Sequence, residues 1–216
     1  MSGIVIFGAG GRAGRRAVAE AVARGHRVTA VVRDPAAHAD LAGERVTLVA
    51  GDVTDAGRVA AVAAGHDAAI NAAVRLDVSS EDFFASAAHA LLDGLARTEV
   101  RRLLLVGIGT VLETAPGVPV HDAPGFPAEG RAFSLGHAVQ VEVFRGADTE
   151  IDWLVLAPPP VVLGDEAPRT GRYRIGGRQV LPSGEGEGFS YADLAVALVD
   201  EIEDPKHHRT LAAVAA

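Results

Sequence analysis

Near its start the chain reads Ile4-Val5-Ile6-Phe7-Gly8-Ala9-Gly10-Gly11-Arg12-Ala13-Gly14-Arg15-Arg16. An apolar run too short for a packed helix stops at a glycine cluster, and an alanine-rich helical pattern follows, which predicts a strand, a tight turn and a helix. Gly8 permits the turn, and Gly14 lets the helix pack closely on the strand. Between them, Gly10 and Gly11 allow a pyrophosphate to approach the backbone at the helix amino terminus. A glycine cluster alone also fits a purely structural turn, so its place between strand and helix is what predicts a dinucleotide site.

The composition indicates one globular domain spanning residues 1–216. The chain is 49% hydrophobic and 22% charged, as is usual for a protein with a sizeable core. Its formal net charge of -8 and pI near 5.4 leave no basic face for nucleic acid. The absence of cysteine excludes disulfides, thiolate metal sites and a cysteine nucleophile. We expect no metal, no signal peptide and no membrane-spanning segment, and a cytoplasmic location.

Arg33 follows the second predicted strand, residues 26–32. At this point of a dinucleotide fold an acidic residue binds the ribose 2′-hydroxyl, whereas an arginine binds a 2′-phosphate. Arg33, with Arg12 as a second arm, therefore favours NADP over NAD. The neighbouring Asp34 keeps NAD open, and a solvated loop charge is the structural alternative for Arg33.

Further cofactor contacts are expected where later strands end. Asp52 follows the third strand, where it is placed to accept a hydrogen bond from the adenine amino group while Val53 packs on the ring. The alternative is that Asp52 is a loop carboxylate with no role in binding. Small residues after the fourth strand leave room for ribose and phosphate. The predicted cofactor contacts are Gly8, Gly10, Gly11, Arg12, Ala13, Gly14, Arg33, Asp52, Val53, Asn71, Ala72, Ala73, Gly107 and Pro158.

Strand and helix patterns alternate along the chain. The predicted strands cover residues 4–7, 26–32, 45–50, 67–70, 101–106, 151–156 and 209–214, and the predicted helices cover 15–24, 55–64, 79–95, 134–145 and 189–203. This alternation predicts an α/β fold, a doubly wound parallel sheet of the Rossmann type. The apolar stripe of the third helix, from Phe84 to Leu95, fits either the core or the face of a homodimer.

Two segments interrupt the alternation. Residues 111–133 contain four prolines and predict an irregular loop that meets the substrate. His121 and Asp122 lie in this loop, and we expect this histidine to be solvated, with a catalytic role as the alternative. The pattern of residues 169–175 and 179–181 predicts a small excursion from the main alternation. It consists of short strands on the substrate side, beside the nicotinamide end of the site.

The chain resembles the atypical short-chain dehydrogenase/reductases of the NAD(P)-binding, NmrA-like group, especially the NADH-flavin reductase and biliverdin reductase B-like members. The resemblance runs nearly end to end and includes the glycine motif. Its other segments are residues 32–35, 51–53, 153–159, 169–174 and 189–195. It implies a Rossmann fold with about seven parallel strands, bound NADP(H), and reduction of flavins or quinone-like acceptors.

One departure from that group concerns the catalytic acid. Typical members carry Tyr-x-x-x-Lys on the helix after the fifth strand, where this chain reads Ser134-Leu135-Gly136-His137-Ala138. Neither the tyrosine nor the lysine is present. The serine that usually precedes this pair falls near Thr110, which keeps a hydroxyl. Ordinary ketone reduction through a tyrosine acid is therefore not expected.

Two main classes of function remain open from the sequence, a reductase and a non-catalytic sensor. A reductase can bring a nicotinamide and a flavin or quinone-like small molecule together by stacking and orientation, with the proton drawn from water. Thr110 and His137 are then the candidate catalytic hydrogen-bond donors, although His137 also fits a helix-surface histidine. The acceptor slot is predicted from residues 158–160, Val74, Phe126 and Phe133.

The alternative is a non-catalytic redox sensor of the NmrA type, which binds NADP(H) and reports its occupancy to a partner. An epimerase or dehydratase is a third option. It is disfavoured because such enzymes usually retain the tyrosine acid.

Overall fold

A twisted, mainly parallel sheet with helices on both faces forms the body of the molecule. The computed structural model describes residues 1–161, 163–164, 167–182 and 188–216. The strands are β1 Gly3–Phe7, β2 Arg27–Val32, β3 Val46–Ala50, β4 Ala68–Asn71, β5 Arg102–Val106, β6 Glu113–Ala115, β7 Val118–Pro119, β8 Asp152–Ala157, β9 Arg174–Ile175 and β10 Thr210–Ala215. The α-helices are α1 Arg12–Ala23, α2 Ala56–Ala63, α3 Ser80–Leu95, α4 Ala128–Gly146 and α5 Tyr191–Glu203.

The strand order of the main sheet is β3-β2-β1-β4-β5-β8-β10-β9. All neighbours are parallel except β9, which pairs antiparallel with β10 at one edge. The chain order reverses between β1 and β4, which opens a crevice outside the carboxyl ends of these strands. This is the doubly wound Rossmann sheet that the sequence predicts.

Alternate residues of the strands enter two cores, one on each face of the sheet. Val5 and Phe7 face α2, α3 and α4, whereas Ile4 and Ile6 face α1 and α5. The α3 stripe lies in the first core, where Phe84 is 1% exposed. The stripe is therefore core, and its interpretation as a dimer face is wrong.

The turn between β1 and α1 depends on a very close approach of two glycines. Gly8 has φ +70°, a conformation that favours glycine, and a Cβ on it would lie 2.4 Å from the backbone nitrogen of Ala73. A Cβ on Gly14 would lie 2.1 Å from the carbonyl oxygen of Gly8. The first turn of α1 thus rests directly on the end of β1, as predicted for the third glycine of the motif.

The prediction of an irregular loop at residues 111–133 is wrong. A hairpin, β6 and β7, occupies its first half, and α4 begins at Ala128 rather than at Ser134. The prolines are compatible with this structure. Pro119 is the last residue of a short strand, and Pro127 immediately precedes a helix, where a backbone N–H would have no partner within the helix. Gly117, with φ +76°, forms the turn of the hairpin.

The predicted excursion of short strands is only partly formed. Of residues 169–175, only Arg174 and Ile175 form a strand, and of residues 179–181 only Gln179 makes an isolated bridge, to Glu113. A loop precedes β9 because the carboxylate of Asp193 accepts hydrogen bonds from two successive backbone N–H groups, those of residues 170 and 171, at 2.8 Å.

We expect a Gly14→Ala substitution to lower the free energy of unfolding by about 2 kcal/mol, because the new methyl group forces α1 away from β1. Gly11→Ala in the same motif is the matched control. A Cβ there meets nothing closer than 3.5 Å, so stability should change by less than about 1 kcal/mol. Urea denaturation followed by circular dichroism measures both, and equal stabilities of the two variants would contradict the packing role of Gly14.

Candidate functional site

A cavity of about 150 Å³ lies at the carboxyl ends of β1, β2, β3 and β4. It is the place where a doubly wound sheet binds its ligand. Eight of the predicted cofactor contacts line it together: Gly8, Gly10, Gly11, Arg33, Asp52, Val53, Ala72 and Ala73. The lining residues that sequence analysis did not propose as cofactor contacts include His38, Gly51, Arg75 and Phe83.

The other predicted contacts do not line this cavity. Arg12, Ala13 and Gly14 belong to the first turn of α1, with Arg12 exposed and Gly14 buried against Gly8. Asn71 contacts a residue that lines the cavity: its buried side chain accepts a hydrogen bond of 3.1 Å from the backbone N–H of Ala73.

Gly107 and Pro158 lie further along the crevice, after β5 and β8. The Gly107 N–H donates to the carbonyl oxygen of Leu156 at 2.8 Å, which joins the ends of these two strands. Pro158 is buried, and its carbonyl oxygen would lie 2.4 Å from a Cβ on Gly109. Gly107 therefore links two neighbouring strand ends, and Pro158 packs against the turn after β5. Direct contact with a cofactor stays a prediction for both.

Gly11 leaves a space that a side chain would fill. Its backbone, with φ −79° and ψ 174°, is accessible to any residue, and the nearest atom to a Cβ would be 3.5 Å away. Neither backbone strain nor packing against the described part of the chain therefore requires glycine here. Gly11 is exposed, lines the cavity and precedes the first residue of α1. The space and the helix amino terminus together fit the phosphates of a dinucleotide.

Asp52 presents a negative charge to the same cavity. Its Oδ1 accepts hydrogen bonds from the backbone N–H and the hydroxyl of Thr54, at 2.9 and 2.8 Å. Burial alone would raise the pKa of Asp52, but these hydrogen bonds and the charges of Arg75 and Arg33 hold it below its usual value. The carboxylate is therefore ionised and acts as an acceptor.

Arg33 stands exposed at the rim of the cavity, directly after β2. We find no hydrogen bond or ion pair from its side chain to any residue that the structure describes. Its guanidinium is thus available for a ligand.

His38 covers the glycine turn, although it lies outside the motif in sequence. Its Nε2 would be 2.5 Å from a Cβ on Gly10. Arg15 holds the ring, since a guanidinium nitrogen lies 3.1 Å from His38 Nδ1, and Arg15 also donates to the carbonyl oxygen of Gly10 and pairs with Asp40. A guanidinium only donates, so Nδ1 accepts and the ring proton is on Nε2. His38 thereby presents an N–H beside the turn.

No sequence signal marks His38 for this position. It belongs to an irregular 3-10 segment after β2, and only its contact with Arg15 turns the ring toward Gly10.

Thr110 lies in the turn after β5, in contact with two buried side chains. Its hydroxyl is 2.8 Å from that of Ser134, which in turn is 2.9 Å from Nδ1 of His121. His121 Nδ1 is also 2.9 Å from the carbonyl oxygen of Thr110. His121 is 5% exposed, so the expectation of a solvated loop histidine is wrong. The hairpin that precedes α4 carries it into the protein.

His137, the second candidate donor, is buried rather than on the surface of α4. Its ring packs 3.9 Å from that of Phe84 and 5.1 Å from that of Phe133, measured between centroids. Its Nδ1 has no hydrogen-bond partner among the described residues. Burial lowers the pKa of His137 to about 3, which keeps the ring neutral. The alternative of a helix-surface histidine is therefore wrong, and a catalytic role remains a prediction.

Of the residues predicted to shape an acceptor slot, Val74 lines the cavity and is 47% exposed. Phe133 packs against His137, and Phe126 packs against Gly130. In the part of the chain that the structure describes, no group of three or more histidine, aspartate or glutamate side chains could hold a metal. None of the helices described here has the length and apolarity needed to cross a membrane.

Comparison with known proteins identifies a family. The profile of the NAD(P)H-binding family matches residues 8–205. YwnB of Bacillus subtilis, a protein without an assigned function, is 31% identical over 207 residues, which cover 94% of this chain and 93% of YwnB.

Three solved structures share the fold over essentially the whole chain. A Burkholderia pseudomallei "putative exported protein" is 33% identical, with TM-score 0.86 and full coverage of both chains. A "putative epimerase" from Bacteroides thetaiotaomicron is 30% identical, with TM-score 0.85 and coverage of 99% and 96%. A "putative NADH-flavin reductase" from Streptococcus pneumoniae is 25% identical, with TM-score 0.85 and coverage of 100% and 99%.

The neutral His137 predicts a specific loss of stability in acid. Its pKa is about 3 in the folded chain and near 6.5 without burial, so the unfolded chain binds a proton that the folded chain excludes. The contribution of the neutral His137 to the free energy of unfolding is therefore complete above pH about 6.5 and is lost as the pH falls toward about 3. Between pH about 6 and 4, the unfolding free energy of the wild type should fall more steeply than that of His137→Phe, by about 1.4 kcal/mol per pH unit.

Urea denaturation of both proteins across this pH range measures the difference. His89→Phe, at an exposed position of α3, is the control and should follow the wild type. Parallel curves for the wild type and His137→Phe would contradict a neutral, buried His137.

Proposed function

The chain belongs to the NAD(P)H-binding family, and we propose that it is an NADPH-dependent reductase of flavins, quinones or similar conjugated acceptors. The observation that carries the proposal is the open space at Gly11, which neither backbone strain nor internal packing explains. The name of the 25% identical Streptococcus pneumoniae protein supports the choice of acceptor class.

Different residues of the cavity would bind different parts of a dinucleotide. Gly11 leaves room for the pyrophosphate at the start of α1, whereas His38 occupies the space beside Gly10. Arg33 and the N–H of His38 supply donors for a 2′-phosphate, which favours NADPH. Asp52 accepts from the adenine amino group on the far side of the cavity. When bound, the nicotinamide supplies a hydride to the acceptor.

The chain contains no other tyrosine and lysine that could replace the missing catalytic pair. Its two tyrosines are Tyr173 and Tyr191, and both pack against the core on the α1 and α5 face. Tyr173 donates to Asp200, and its pKa is raised by burial and by that carboxylate. The single lysine, Lys206, is 69% exposed and pairs with Asp204 near the amino ends of the strands.

This lack of a tyrosine acid favours reduction of a conjugated acceptor over epimerase or dehydratase chemistry. An electron-poor ring takes up a hydride when it is held in the right orientation, with less demand for a strong acid. Thr110, a half-buried residue just beyond β5, is the hydrogen-bond donor that we propose for the acceptor. β5 neighbours β4 in the sheet, so both ends open on one crevice.

The proposal predicts acceptor-dependent oxidation of NADPH, followed by loss of its absorbance with riboflavin, FMN or a simple quinone in separate assays. Gly11→Asp should abolish it, because a carboxylate fills the phosphate space while aspartate still caps α1 well. Gly43→Asp, at an exposed glycine with open space around it, should remain active. Saturable NADPH binding without acceptor-dependent oxidation would instead favour the redox sensor.

Arg33→Ala tests the choice of cofactor. Loss of a charged hydrogen bond to the 2′-phosphate should weaken NADPH binding by about 2 kcal/mol, roughly 30-fold, and leave NADH binding nearly unchanged. Fluorescence titration with each cofactor measures both constants. Arg27→Ala, at the opposite end of β2, is the control, and an equal loss for NADPH and NADH in Arg33→Ala would refute the 2′-phosphate assignment.

A further inference from the structure

A single nitrogen of His121 has two partners of opposite kind. Nδ1 lies 2.9 Å from the carbonyl oxygen of Thr110, which only accepts, and 2.9 Å from the hydroxyl of Ser134, which can donate. With its proton on Nδ1, the ring can donate to the carbonyl or to the hydroxyl oxygen of Ser134. With its proton on Nε2, the ring accepts from Ser134. Both tautomers of this buried ring therefore have a partner already in place.

The contacts continue from His121 in both directions. On one side, Ser134 is fully buried and lies 2.8 Å from the hydroxyl of Thr110, a half-buried residue in the turn after β5. Toward solvent, Nε2 of His121 lies 3.9 Å from the carboxylate of Asp122. That carboxylate is 44% exposed and accepts a hydrogen bond from Arg131. One line of polar groups thus runs from the turn after β5 through the interior to the surface, with a longer step of 3.9 Å between His121 and Asp122.

We propose that His121, Ser134 and Thr110 form a proton relay that gives the Thr110 hydroxyl the acid role of the missing tyrosine. The inference rests on the proposed reductase function and narrows it. A relay ending at Thr110 serves an acceptor whose carbonyl oxygen must gain a proton, so a quinone-like carbonyl compound fits better than a flavin. Thr110 is the catalytic residue, and Ser134 and His121 act through it.

Solvent supplies the proton that replaces the one passed along the relay. NADPH would supply a hydride that forms a C–H bond at the carbonyl carbon of the acceptor, becoming NADP⁺, and the π bond of that carbonyl would break. The oxygen takes the hydroxyl proton of Thr110, Thr110 takes that of Ser134, and Ser134 takes the Nδ1 proton of His121. Nε2 gains a proton from bulk solvent on the side of Asp122, and the hydroxide that this leaves stays in solvent. The ring then holds its proton on Nε2 and accepts from Ser134, as the second tautomer requires.

The first test uses the cofactor-free protein. Nitrogen-15 NMR distinguishes a protonated from an unprotonated ring nitrogen, and loss of signals in His121→Asn assigns those of His121. We expect wild-type shifts averaged between the two tautomers, and a shift toward the Nδ1-protonated tautomer in Ser134→Ala, where only the carbonyl partner remains. The ring of His66, held by Thr29 and by backbone carbonyls at residues 63 and 64, is the internal control.

The second test compares two acceptors, 1,4-naphthoquinone and FMN, at a mildly alkaline pH where reduced flavin remains an anion. In Ser134→Ala and His121→Asn, the ratio of kcat with the quinone to kcat with FMN should fall about tenfold or more, the range of general acid catalysis. The Asn amide can still donate to the carbonyl of Thr110, which preserves the loop. His66→Asn should leave the ratio unchanged.

The outcomes separate the relay from the function on which it rests. A wild type that reduces neither acceptor would overturn the reductase and the relay together. A wild type active with FMN alone, an unchanged ratio in both variants, or a His121 ring fixed in one tautomer irrespective of Ser134 would overturn the relay and leave the reductase in place.

Discussion

The contact between Gly14 and Gly8 is the constraint on which the site depends. Any Cβ at Gly14 would overlap the carbonyl oxygen of Gly8, and any Cβ at Gly8 would overlap the backbone at Ala73. One residue at the end of β1 is thus in contact with α1 on one side and with the chain leaving β4 on the other. These contacts position the start of α1 beside the crevice, so the space at Gly11 follows from packing elsewhere in the motif.

Much of the fold and of the cofactor cavity follows from local sequence. Strand residues such as those of β1 are apolar on both faces because helices cover both, and this pattern is visible without a structure. Arg33 and Asp52 were identifiable because residues directly after parallel strands collect at one edge of the sheet. The dinucleotide motif fixes that edge, which is why eight predicted contacts line one cavity.

The remaining features depend on contacts between residues distant in sequence. His38 belongs to the site because Arg15, in another element, holds its ring over Gly10. His121 was expected in solvent because prolines surround it, yet the β6–β7 hairpin and the early start of α4 enclose it. Proline and glycine reveal that the chain turns, but they do not reveal whether the turning segment packs on the core.

Two buried histidines show how partners determine chemistry. His137 packs among phenylalanine rings, and its Nδ1 has no hydrogen-bond partner among the residues that the structure describes, so the ring is neutral and its contribution is apolar. His121 is equally buried, yet it has polar partners on both sides of the ring. In a chain without the usual tyrosine and lysine, this difference separates a packing residue from one able to move a proton toward Thr110. The most direct measurement is a crystal structure of the complex with NADP⁺. The account predicts phosphates beside Gly10 and Gly11, the 2′-phosphate at Arg33 and His38, and the nicotinamide next to the Thr110 hydroxyl. A nicotinamide bound away from Thr110, or a dinucleotide that leaves the Gly11 space empty, would contradict it.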